Sequence, residues 1–361
     1  MKILMYNWRD LKNPKSGGAE VLTEGIFKKL AKNHDITLFT ATFPGALEKE
    51  IINGYKVVRK GNFFTVFAWA FIYWHKHFKK QSFDVVIDQI HGIPFFTPLY
   101  VRNVKIVAFI HEVARDIWFQ MYPFPISIIG KSLEPIFFWF YRKVKFITVS
   151  NSTKGDLIAI GIPERNIAIT PEAIDDEMFV PVAYPKESDP TLIFIGRMAA
   201  MKRPEHVIEA FRLAHEQVPN LKLWMVGGGE ESYVKRLQKQ AGALPVSFFG
   251  KVGIEKKKEL LAKAWAMVSS SIKEGFGLVV IEAAAHGTPS IVYNVHGFRD
   301  SVKNNETGLI TEENTPEGMA KKIVTLMKDR ELHNILANNS VSYSQQFTFN
   351  HAAQEFIKLV A

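Results

Sequence analysis

The sequence predicts an α/β protein of two doubly wound domains, each with a largely parallel sheet covered by helices, that face a central cleft. Three observations predict this class. Short β-rich apolar runs alternate with helical patterns through most of the chain, as repeated βαβ units require. The length of 361 residues suits about two domains of ordinary size. A stretch with four prolines and little periodicity, residues 171–190, lies near the middle.

The first domain is predicted over residues 1–170. Its strands are predicted over short apolar runs bounded by polar or turn residues: Lys2–Asn7, Asp35–Ala41, Lys56–Arg59, Val85–Ile90, Lys105–His111, Phe146–Ser150 and Asn166–Thr170. A helix is predicted to begin at Ala19, after the first strand and its turn. Residues 171–190 form the predicted linker.

The second domain is predicted over residues 191–345. Its strands are predicted over Thr191–Gly196, Lys222–Val226, Val246–Gly250, Met267–Ser270 and Ser290–Tyr293. Pro204 is predicted to open one helix and the pair Thr315-Pro316 another, as first-turn and N-cap residues. Residues 346–361 are predicted to form a last helix that packs back toward the first domain.

Composition excludes several classes of protein. Hydrophobic residues make up 47% and charged residues 22%, which are ordinary values for a chain that buries full cores. Because cysteine is absent, a disulfide scaffold, a thiolate zinc site, an iron–sulfur cluster and a cysteine nucleophile are excluded. The first residues, MKILMYNWRD, read as a strand and not as a signal peptide. No transmembrane helix is predicted, since a span needs roughly 20 apolar residues.

The net charge of +9 is unevenly distributed. Residues 1–170 contain 23 Lys and Arg against 13 Asp and Glu, whereas residues 171–361 contain 22 against 23. A positive field confined to one half suggests a phosphate-rich partner or an anionic surface on that half. From charge alone, both nucleic acid and membrane remain open.

The most specific pattern, KEGFGLVVIE over 273–282, follows the strand predicted over Met267–Ser270. Its glycines allow a ligand to approach the backbone and leave amides free at the start of a helix predicted over Leu278–His286. Glu274 and Glu282 supply carboxylates of the kind that bind sugar and ribose hydroxyls. The alternative is a capped surface helix with two solvated glutamates.

Two further patterns follow predicted strands. Arg197 and Lys202, in the segment GRMAAMKRP, could grip a diphosphate from two directions, or could simply be solvated near a helix start. The turn with Gly17 and Gly18 does not match G-x-G-x-x-G, so a nicotinamide dehydrogenase is not supported. The run 227–229 of three glycines is compatible with a tight strand–helix turn.

Together, EGFG…E, GR…KRP and GGAE resemble the retaining glycosyltransferases of family 4, within glycosyl transferases group 1. That resemblance runs across nearly the whole chain and implies the GT-B fold of two Rossmann-like domains. The residues that it assigns to the donor or nucleotide are Gly17, Gly18, Arg197, Lys202, Val252, Glu274, Gly275, Phe276, Gly277, Leu278 and Glu282. It implies no metal and no cofactor, because the nucleotide-sugar is a substrate.

The resemblance also implies roles. Arg197 and Lys202 would bind the donor diphosphate and stabilise the leaving nucleotide, and Glu282 would hold the ribose hydroxyls. Glu274 and the amides around 275–278 would hold the donor sugar, while the glycines at 17 and 18 would line the site near the phosphates and the acceptor. Val252 would lie at the edge that binds the base.

His111, at the end of a predicted strand, matches the family's histidine that contacts the transferred sugar. The alternative is a hydrogen-bonded structural histidine. The catalytic residues implied are therefore His111, Glu274, Arg197 and Lys202. One departure from the family is Glu172, because many relatives have Asn-Gly after the proline at 171; it puts the local contacts to the donor in doubt.

Two aromatic segments, 62–80 and 135–145, adjoin basic residues. In the first, a helical stripe is expected to pack on the sheet: Phe63, Phe67, Phe71, Trp74 and Phe78. Aromatic residues cover more than one face, which a helix facing only a core does not require. The segments are therefore predicted to contact anionic membranes peripherally.

The function predicted is transfer of a hexose-type sugar from a UDP- or GDP-linked donor to a lipid-linked or glycan acceptor, with retention of configuration and without metal. The protein is expected in the cytoplasm, at the inner face of the cell membrane. Two alternatives stay open. One is a sugar-nucleotide epimerase or hydrolase of the same fold; the other is a basic nucleic-acid-binding protein, for which no recognisable motif is present.

Overall fold

The computed structural model describes residues 1–115, 118–121, 123–180 and 184–361. The chain divides into two units: Met1–Ala173 with Thr348–Ala361, and Ile174–Phe347. Residues 181–183 of the predicted linker lie outside the described residues, and the rest of that stretch from Ile174 onward belongs to the second unit.

The first unit contains an eight-stranded sheet within the described residues, in the order β3-β4-β2-β1-β5-β6-β7-β8. Its strands are β1 (Lys2–Tyr6), β2 (Asp35–Thr40), β3 (Lys49–Ile52), β4 (Tyr55–Arg59), β5 (Val85–Ile90), β6 (Lys105–Ile110), β7 (Lys145–Thr148) and β8 (Ile167–Ile169). Neighbouring strands pair in parallel except β3 and β4, which are antiparallel.

Helices cover both faces of this sheet because successive strand residues point to opposite sides. Along β1, Ile3 and Met5 join a core with α1 (Gly18–Leu30) and α14 (Phe349–Val360). Leu4 and Tyr6 join the opposite core. The helices between α1 and the second unit are α2 (Val66–Lys76), α3 (Thr97–Tyr100), α4 (Trp118–Met121), α5 (Ile126–Trp139) and α6 (Asn151–Ala159).

The second unit contains a six-stranded parallel sheet in its described residues, in the order β11-β10-β9-β12-β13-β14. Its strands are β9 (Thr191–Ile195), β10 (Lys222–Val226), β11 (Val246–Gly250), β12 (Ala266–Ser269), β13 (Ser290–Val292) and β14 (Gly308–Ile310). Its helices are α7 (Pro204–His215), α8 (Glu231–Ala241), α9 (Ile254–Lys263), α10 (Leu278–Ala285), α11 (Phe298–Ser301), α12 (Pro316–Lys328) and α13 (Arg330–Ser344).

The prediction of two doubly wound α/β units is confirmed by both strand orders. The helix starts are confirmed as well: Pro204 is the first residue of α7, and the Thr315 hydroxyl caps α12 by accepting a hydrogen bond from the Gly318 amide at 3.1 Å. Two strands, β3 and β14, were not predicted. β3 is a short edge strand with Ile51 largely exposed, and β14 has three residues, so neither has a clear apolar pattern.

The predicted stripe in the first aromatic segment is wrong in part. α2 begins at Val66, and its buried face consists of Val66, Ala70, Tyr73 and Trp74, so Phe71 points outward and is 49% exposed. Phe78, in a 3₁₀ turn after the helix, is buried as expected. In the described part of the chain, no helix is long and apolar enough to cross a membrane.

Candidate active site

The loops that carry the basic pair and the glutamate motif meet beside the two central strands of the second sheet. From β9 the chain proceeds to β10 and β11 on one side, and β12 to β14 lie on the other. The point where strand order reverses is therefore between β9 and β12. In open α/β sheets, ligands bind outside the carboxyl ends of the strands at such a point. Arg197 follows β9 and Glu274 follows β12.

An ion pair joins these two loops. The Lys202 ammonium lies 2.5 Å from Glu274 Oε1, and the Ser271 hydroxyl donates to the same oxygen at 2.6 Å. The backbones are linked as well, because the Ile272 amide donates to the Met201 carbonyl at 2.9 Å. Both charged side chains keep some exposure, 24% for the lysine and 14% for the glutamate, so a ligand can reach them.

Arg197 is differently placed. Its side chain is exposed, and no hydrogen bond or ion pair holds it among the described residues. A guanidinium without a carboxylate partner keeps its planar fork of donors available for a phosphate. The loop therefore presents one cation already oriented by a carboxylate and one that is free to engage a ligand.

The three glycines after β10 are explained by close packing against the loop after β9. Gly227 has φ +133°, and a Cβ there would collide with the Gly196 carbonyl; a Cβ on Gly229 would collide with the Met198 carbonyl. The Met198 amide also donates to the Gly228 carbonyl at 2.8 Å. The run is thus a tight turn that packs against the loop that carries Arg197 and Lys202.

The glycines of the glutamate motif shape the start of α10. Gly277, the N-cap residue, has φ +88°, and a Cβ there would lie 2.9 Å from the Phe298 ring. Phe276 is buried and its ring lies 5.4 Å from that of Phe347, so only its backbone remains for a ligand. Gly275 and Leu278, on either side, are half-buried. This geometry leaves the first amides of an eight-residue helix beside Glu274.

Glu282 lies on α10, and Val252 follows β11. The Glu282 carboxylate is paired with the Lys257 ammonium of α9, and both side chains are partly exposed. Val252 is half-buried and packs on the apolar core around α9 and α10. The two glutamates of the motif are therefore oriented by different lysines.

In the first unit, His111 follows β6 and is 9% exposed. Its Nδ1 lies 3.4 Å from Glu172 Oε1, and its Nε2 lies 3.4 Å from Gln89 Nε2. Its backbone carbonyl accepts the Thr153 hydroxyl at 2.9 Å. Glu172, the departure from the family pattern, is the buried carboxylate beside the histidine.

Gly17 and Gly18 lie at the start of α1, and both are exposed. The Gly17 amide donates to Glu20 Oε2 at 2.6 Å. The other oxygen of this buried carboxylate, Oε1, accepts the Trp8 indole N–H at 3.2 Å. Glu20 therefore links the glycine turn to the segment that follows β1.

His91 is a residue that the sequence analysis missed. Its ring stacks on that of Trp8 at 4.9 Å and lies 6.3 Å from the His111 ring. Burial, then the neighbouring His111 and Arg9, lower the pKa of His91 well below its ordinary value. One signal could have found it: His91 directly follows β5, and β5 lies beside β1, where the strand order of the first sheet reverses.

Among the described residues, no three or more His, Cys, Asp or Glu side chains are grouped so that they could hold a metal ion.

Two family models match the chain in succession. Residues 16–178 match Glycosyltransferase Family 4, and residues 178–342 match Glycosyl transferases group 1. The matched regions include the candidate residues of both units.

Among the similar curated proteins is the poly(glycerol-phosphate) alpha-glucosyltransferase of Bacillus subtilis, 25% identical over 65% of this chain; the chain spans about a third of that protein's length (32%). Another is the Campylobacter jejuni alpha-1,4-N-acetyl-D-galactosaminyltransferase named for a diNAcBac-PP-undecaprenol-linked acceptor, 24% identical over 96% of this chain and 95% of that protein. Among solved structures, Anabaena HepE in complex with UDP and glucose matches with a TM-score of 0.73 at 18% identity, over 99% of this chain and 98% of that one.

Proposed function

The chain belongs to the group 1, family 4-like glycosyltransferases with the GT-B fold, and we propose that it transfers a sugar from a nucleoside diphosphate donor to a lipid-linked or glycan acceptor. The single observation that carries the proposal is the pairing of Lys202 with Glu274 beside an unpaired Arg197 at the switch point of the second sheet. This arrangement supports the proposal because cations that would bind a diphosphate lie in a loop next to a carboxylate that would bind sugar hydroxyls.

The donor half of the reaction follows from these charges. As the bond between the anomeric carbon and the phosphate oxygen breaks, negative charge grows on the diphosphate. Arg197 and Lys202 would stabilise that charge, and the amides at the start of α10 would add fixed dipoles. The transfer is accordingly proposed to need no divalent metal and no cofactor.

The acceptor half is proposed to proceed with retention. The acceptor hydroxyl would attack the anomeric carbon on the face that the diphosphate leaves, and its proton would pass to the departing phosphate oxygen. Glu274 would orient the sugar through its hydroxyls, and His111 in the first unit would contact the transferred sugar. No carboxylate is assigned as a covalent nucleophile.

The donor is proposed to be UDP- or GDP-linked, with Glu282 on the ribose and Val252 at the edge of the base. A UDP complex of a similar fold and a relative named for a polyprenyl-linked acceptor support this choice. The acceptor is proposed to be a lipid-linked sugar or glycan that is met at the cytoplasmic face of a membrane, which the protein would contact peripherally.

The test begins with thermal shift of the purified protein against UDP-, GDP- and ADP-sugars and the bare nucleotides. The donor that stabilises the protein is then incubated with lipid extract or glycan acceptors, with and without EDTA, and the anomeric configuration of the product is read by NMR. We expect acceptor-dependent transfer with retention that EDTA does not reduce. Nucleotide release that ignores the acceptor would instead indicate an epimerase or hydrolase, and inversion or rescue by manganese would contradict the mechanism.

A further inference from the structure

The outer side of the helices that cover one face of the first sheet has an unusually apolar and basic surface. We infer that this surface, formed by the exposed residues of segments 60–80, 96–100 and 124–143, which contain α2, α3 and α5, and here called the docking face, binds an anionic lipid bilayer, with α5 as its main apolar contact. The inference rests on the proposed function only for the reason to dock, which is a lipid-linked acceptor.

Within the part of the chain that the structure describes, α5 exposes large apolar side chains on one face. Its inner side packs on the unit through Phe138, which is 2% exposed. Large apolar residues that are exposed on the helix or just before it are Phe124, Ile126, Ile128, Ile129, Leu133, Ile136 and Trp139. Four of these, at 126, 129, 133 and 136, follow helical spacing and form one outward stripe.

The docking face continues from α5 across α3 to α2. The Phe96 ring, next to α3, lies 5.5 Å from the Phe137 ring of α5, and the Tyr100 ring of α3 lies 5.3 Å from the Phe71 ring of α2. Exposed apolar side chains beyond α5 are Phe64, Trp69, Phe71 and Leu99. This contribution from the first aromatic segment excludes Trp74, which is 2% exposed in the core.

The charge of the docking face identifies the occupant. Segment 60–80 contains no Asp or Glu, and segment 118–145 contains only Glu134. That carboxylate is buried, and it accepts the amides of Ala114 at 3.0 Å and Arg115 at 2.9 Å. Exposed basic residues on the same segments are Lys76, Lys79, Lys80, Lys131, Arg142 and Lys143.

A bilayer with anionic headgroups complements both properties, because apolar side chains enter the interface while lysines and arginines meet the headgroups. A second copy of the chain fits poorly, since a symmetric contact through this face would oppose positive charge to positive charge. The contact is interfacial: none of the helices in the described residues is long and apolar enough to span the bilayer.

The test is flotation of the full chain with vesicles of phosphatidylcholine alone and with 30% phosphatidylglycerol, at low and high salt. An apolar variant combines Ile129→Ser with Ile136→Ser, and its control combines Ile335→Ser with Val341→Ser, exposed apolar residues in the second unit. A basic variant combines Lys79→Gln with Lys80→Gln, and its control combines Lys239→Gln with Lys328→Gln.

We expect the wild type and both controls to float with anionic vesicles, to float less as salt rises, and to bind neutral vesicles weakly. The apolar variant should lose binding at every salt concentration. In the basic variant the partition coefficient should fall about tenfold or more at low salt, with a flatter salt dependence. Circular dichroism and melting curves check that each variant is folded.

Two results would overturn the inference. One is wild type that stays soluble with anionic vesicles at low salt. The other is a wild type that does not bind vesicles and sediments as a dimer, while the apolar variant sediments as a monomer. That result would assign the docking face to a second copy of the chain. Donor binding by calorimetry is measured on the same samples, so a protein that floats without binding any nucleotide-sugar contradicts the proposed function alone.

Discussion

At the residue scale, the ion pair between Lys202 and Glu274 fixes the orientation of two charged side chains of the candidate site. A lysine on a flexible stem loses conformational freedom when it binds a phosphate. Here the carboxylate already holds the ammonium 2.5 Å away, and the Ser271 hydroxyl holds the carboxylate. A donor that offers phosphate to the lysine and hydroxyls to the glutamate would use both groups in nearly their resting positions.

Lys202→Ala is expected to weaken donor binding by about 1.5–3 kcal/mol, roughly 10- to 150-fold, because a charge-assisted contact to phosphate is lost. Glu274→Gln should weaken the nucleotide-sugar but leave the bare nucleotide nearly unchanged. Isothermal calorimetry with both ligands separates the two effects, with Lys239→Ala as the matched control. Unchanged affinity for both ligands in Lys202→Ala would mean that the diphosphate binds elsewhere.

Glu282→Ala is expected to weaken nucleotide binding by about 1.5–3 kcal/mol through loss of a charge-assisted contact to ribose hydroxyls. Lys257→Ala is its control, because it breaks the same partly exposed ion pair but keeps the carboxylate. The two variants should lose similar, small amounts of stability, and only Glu282→Ala should lose affinity. A 2′-deoxy nucleotide that is as sensitive to Glu282→Ala as the ribonucleotide would contradict the ribose assignment.

Part of the site could be predicted from sequence at this scale. Arg197, Lys202 and Glu274 follow strand ends within recognisable local patterns, so their proximity in space follows from a parallel sheet. The pairing of His111 with Glu172 and the stacking of His91 on Trp8 join residues separated by tens of positions, and neither has a local motif. Such contacts depend on strand order, which the one-dimensional pattern leaves open.

At the scale of elements, the start of α10 depends on a glycine in the left-handed region. Gly277→Ala is expected to lower the free energy of unfolding by about 1–3 kcal/mol, because a Cβ at φ +88° is strained and would lie 2.9 Å from the Phe298 ring. The control is Gly253→Ala at the N-cap of α9, where φ is −73° and nothing lies within 4 Å of the added carbon. Urea unfolding measures both; equal effects would contradict the local argument.

The end of α10 predicts a dependence of stability on pH. Burial first, then Lys258, Lys186 and Lys257, lower the pKa of His286 to about 4 from an ordinary value of 6.5. Between pH 6.5 and 4, His286 therefore binds a proton in the unfolded chain but stays mostly neutral in the folded chain. The stability that this neutral ring contributes above pH 6.5 is lost as pH falls toward 4. Because the ring is partly exposed, we expect a loss on the order of 1–2 kcal/mol.

His286→Gln should make the free energy of unfolding less dependent on pH between 6.5 and 4, while His351→Gln, an exposed control, should leave it unchanged. Urea unfolding at half-unit steps of pH measures the difference between variant and wild type, which removes the contribution of other titrating groups. A variant whose profile runs parallel to that of the wild type would show that His286 titrates normally.

The elements themselves were largely predictable, for a physical reason. Strands buried on both faces read as largely apolar runs, and β5, which is buried along its whole length, matches its predicted bounds. The bounds of β10 and of the partly exposed edge strand β11 match as well. The edge strands β3 and β14 read KEII and GLI, and β14 stands between Thr307 and Thr311, so neither extends into a longer apolar run. α5 is hard to delimit from sequence because it is apolar on its outer side as well as its inner side and contains Pro135.

At the scale of the whole molecule, the excess charge and the exposed apolar residues concentrate in the same unit. Residues 1–170 have a net charge of +10, and the docking face lies on this unit's sheet. The loops with Arg197 and Glu274, and helix α10 with Glu282, belong to the other unit, where charge is nearly balanced. Under the proposed function, the second unit would take the diffusible donor and the first unit would meet the surface-bound acceptor.

After the second unit the chain returns to the first unit, because residues 348–361 belong to it. On α14, Phe356 is 1% exposed, its ring lies 5.2 Å from that of Phe109, and it belongs to the core shared with α1. Phe356→Ala is expected to lower the free energy of unfolding of the first unit by about 3–5 kcal/mol, the usual cost of such a cavity. Gln354→Ala, on the exposed side of the same helix, should cost almost nothing.

Scanning calorimetry with and without a donor nucleotide assigns the effect to a unit. The candidate donor residues lie in the second unit, so nucleotide should still stabilise that unit's transition in Phe356→Ala while the first unit's transition moves to lower temperature. Because no residue of 174–347 belongs to this core, nucleotide affinity at 25 °C should stay within about twofold of the wild type. A variant in which both transitions shift together would mean that the two units unfold as one cooperative structure, with α14 stabilising the whole molecule and not the first unit alone.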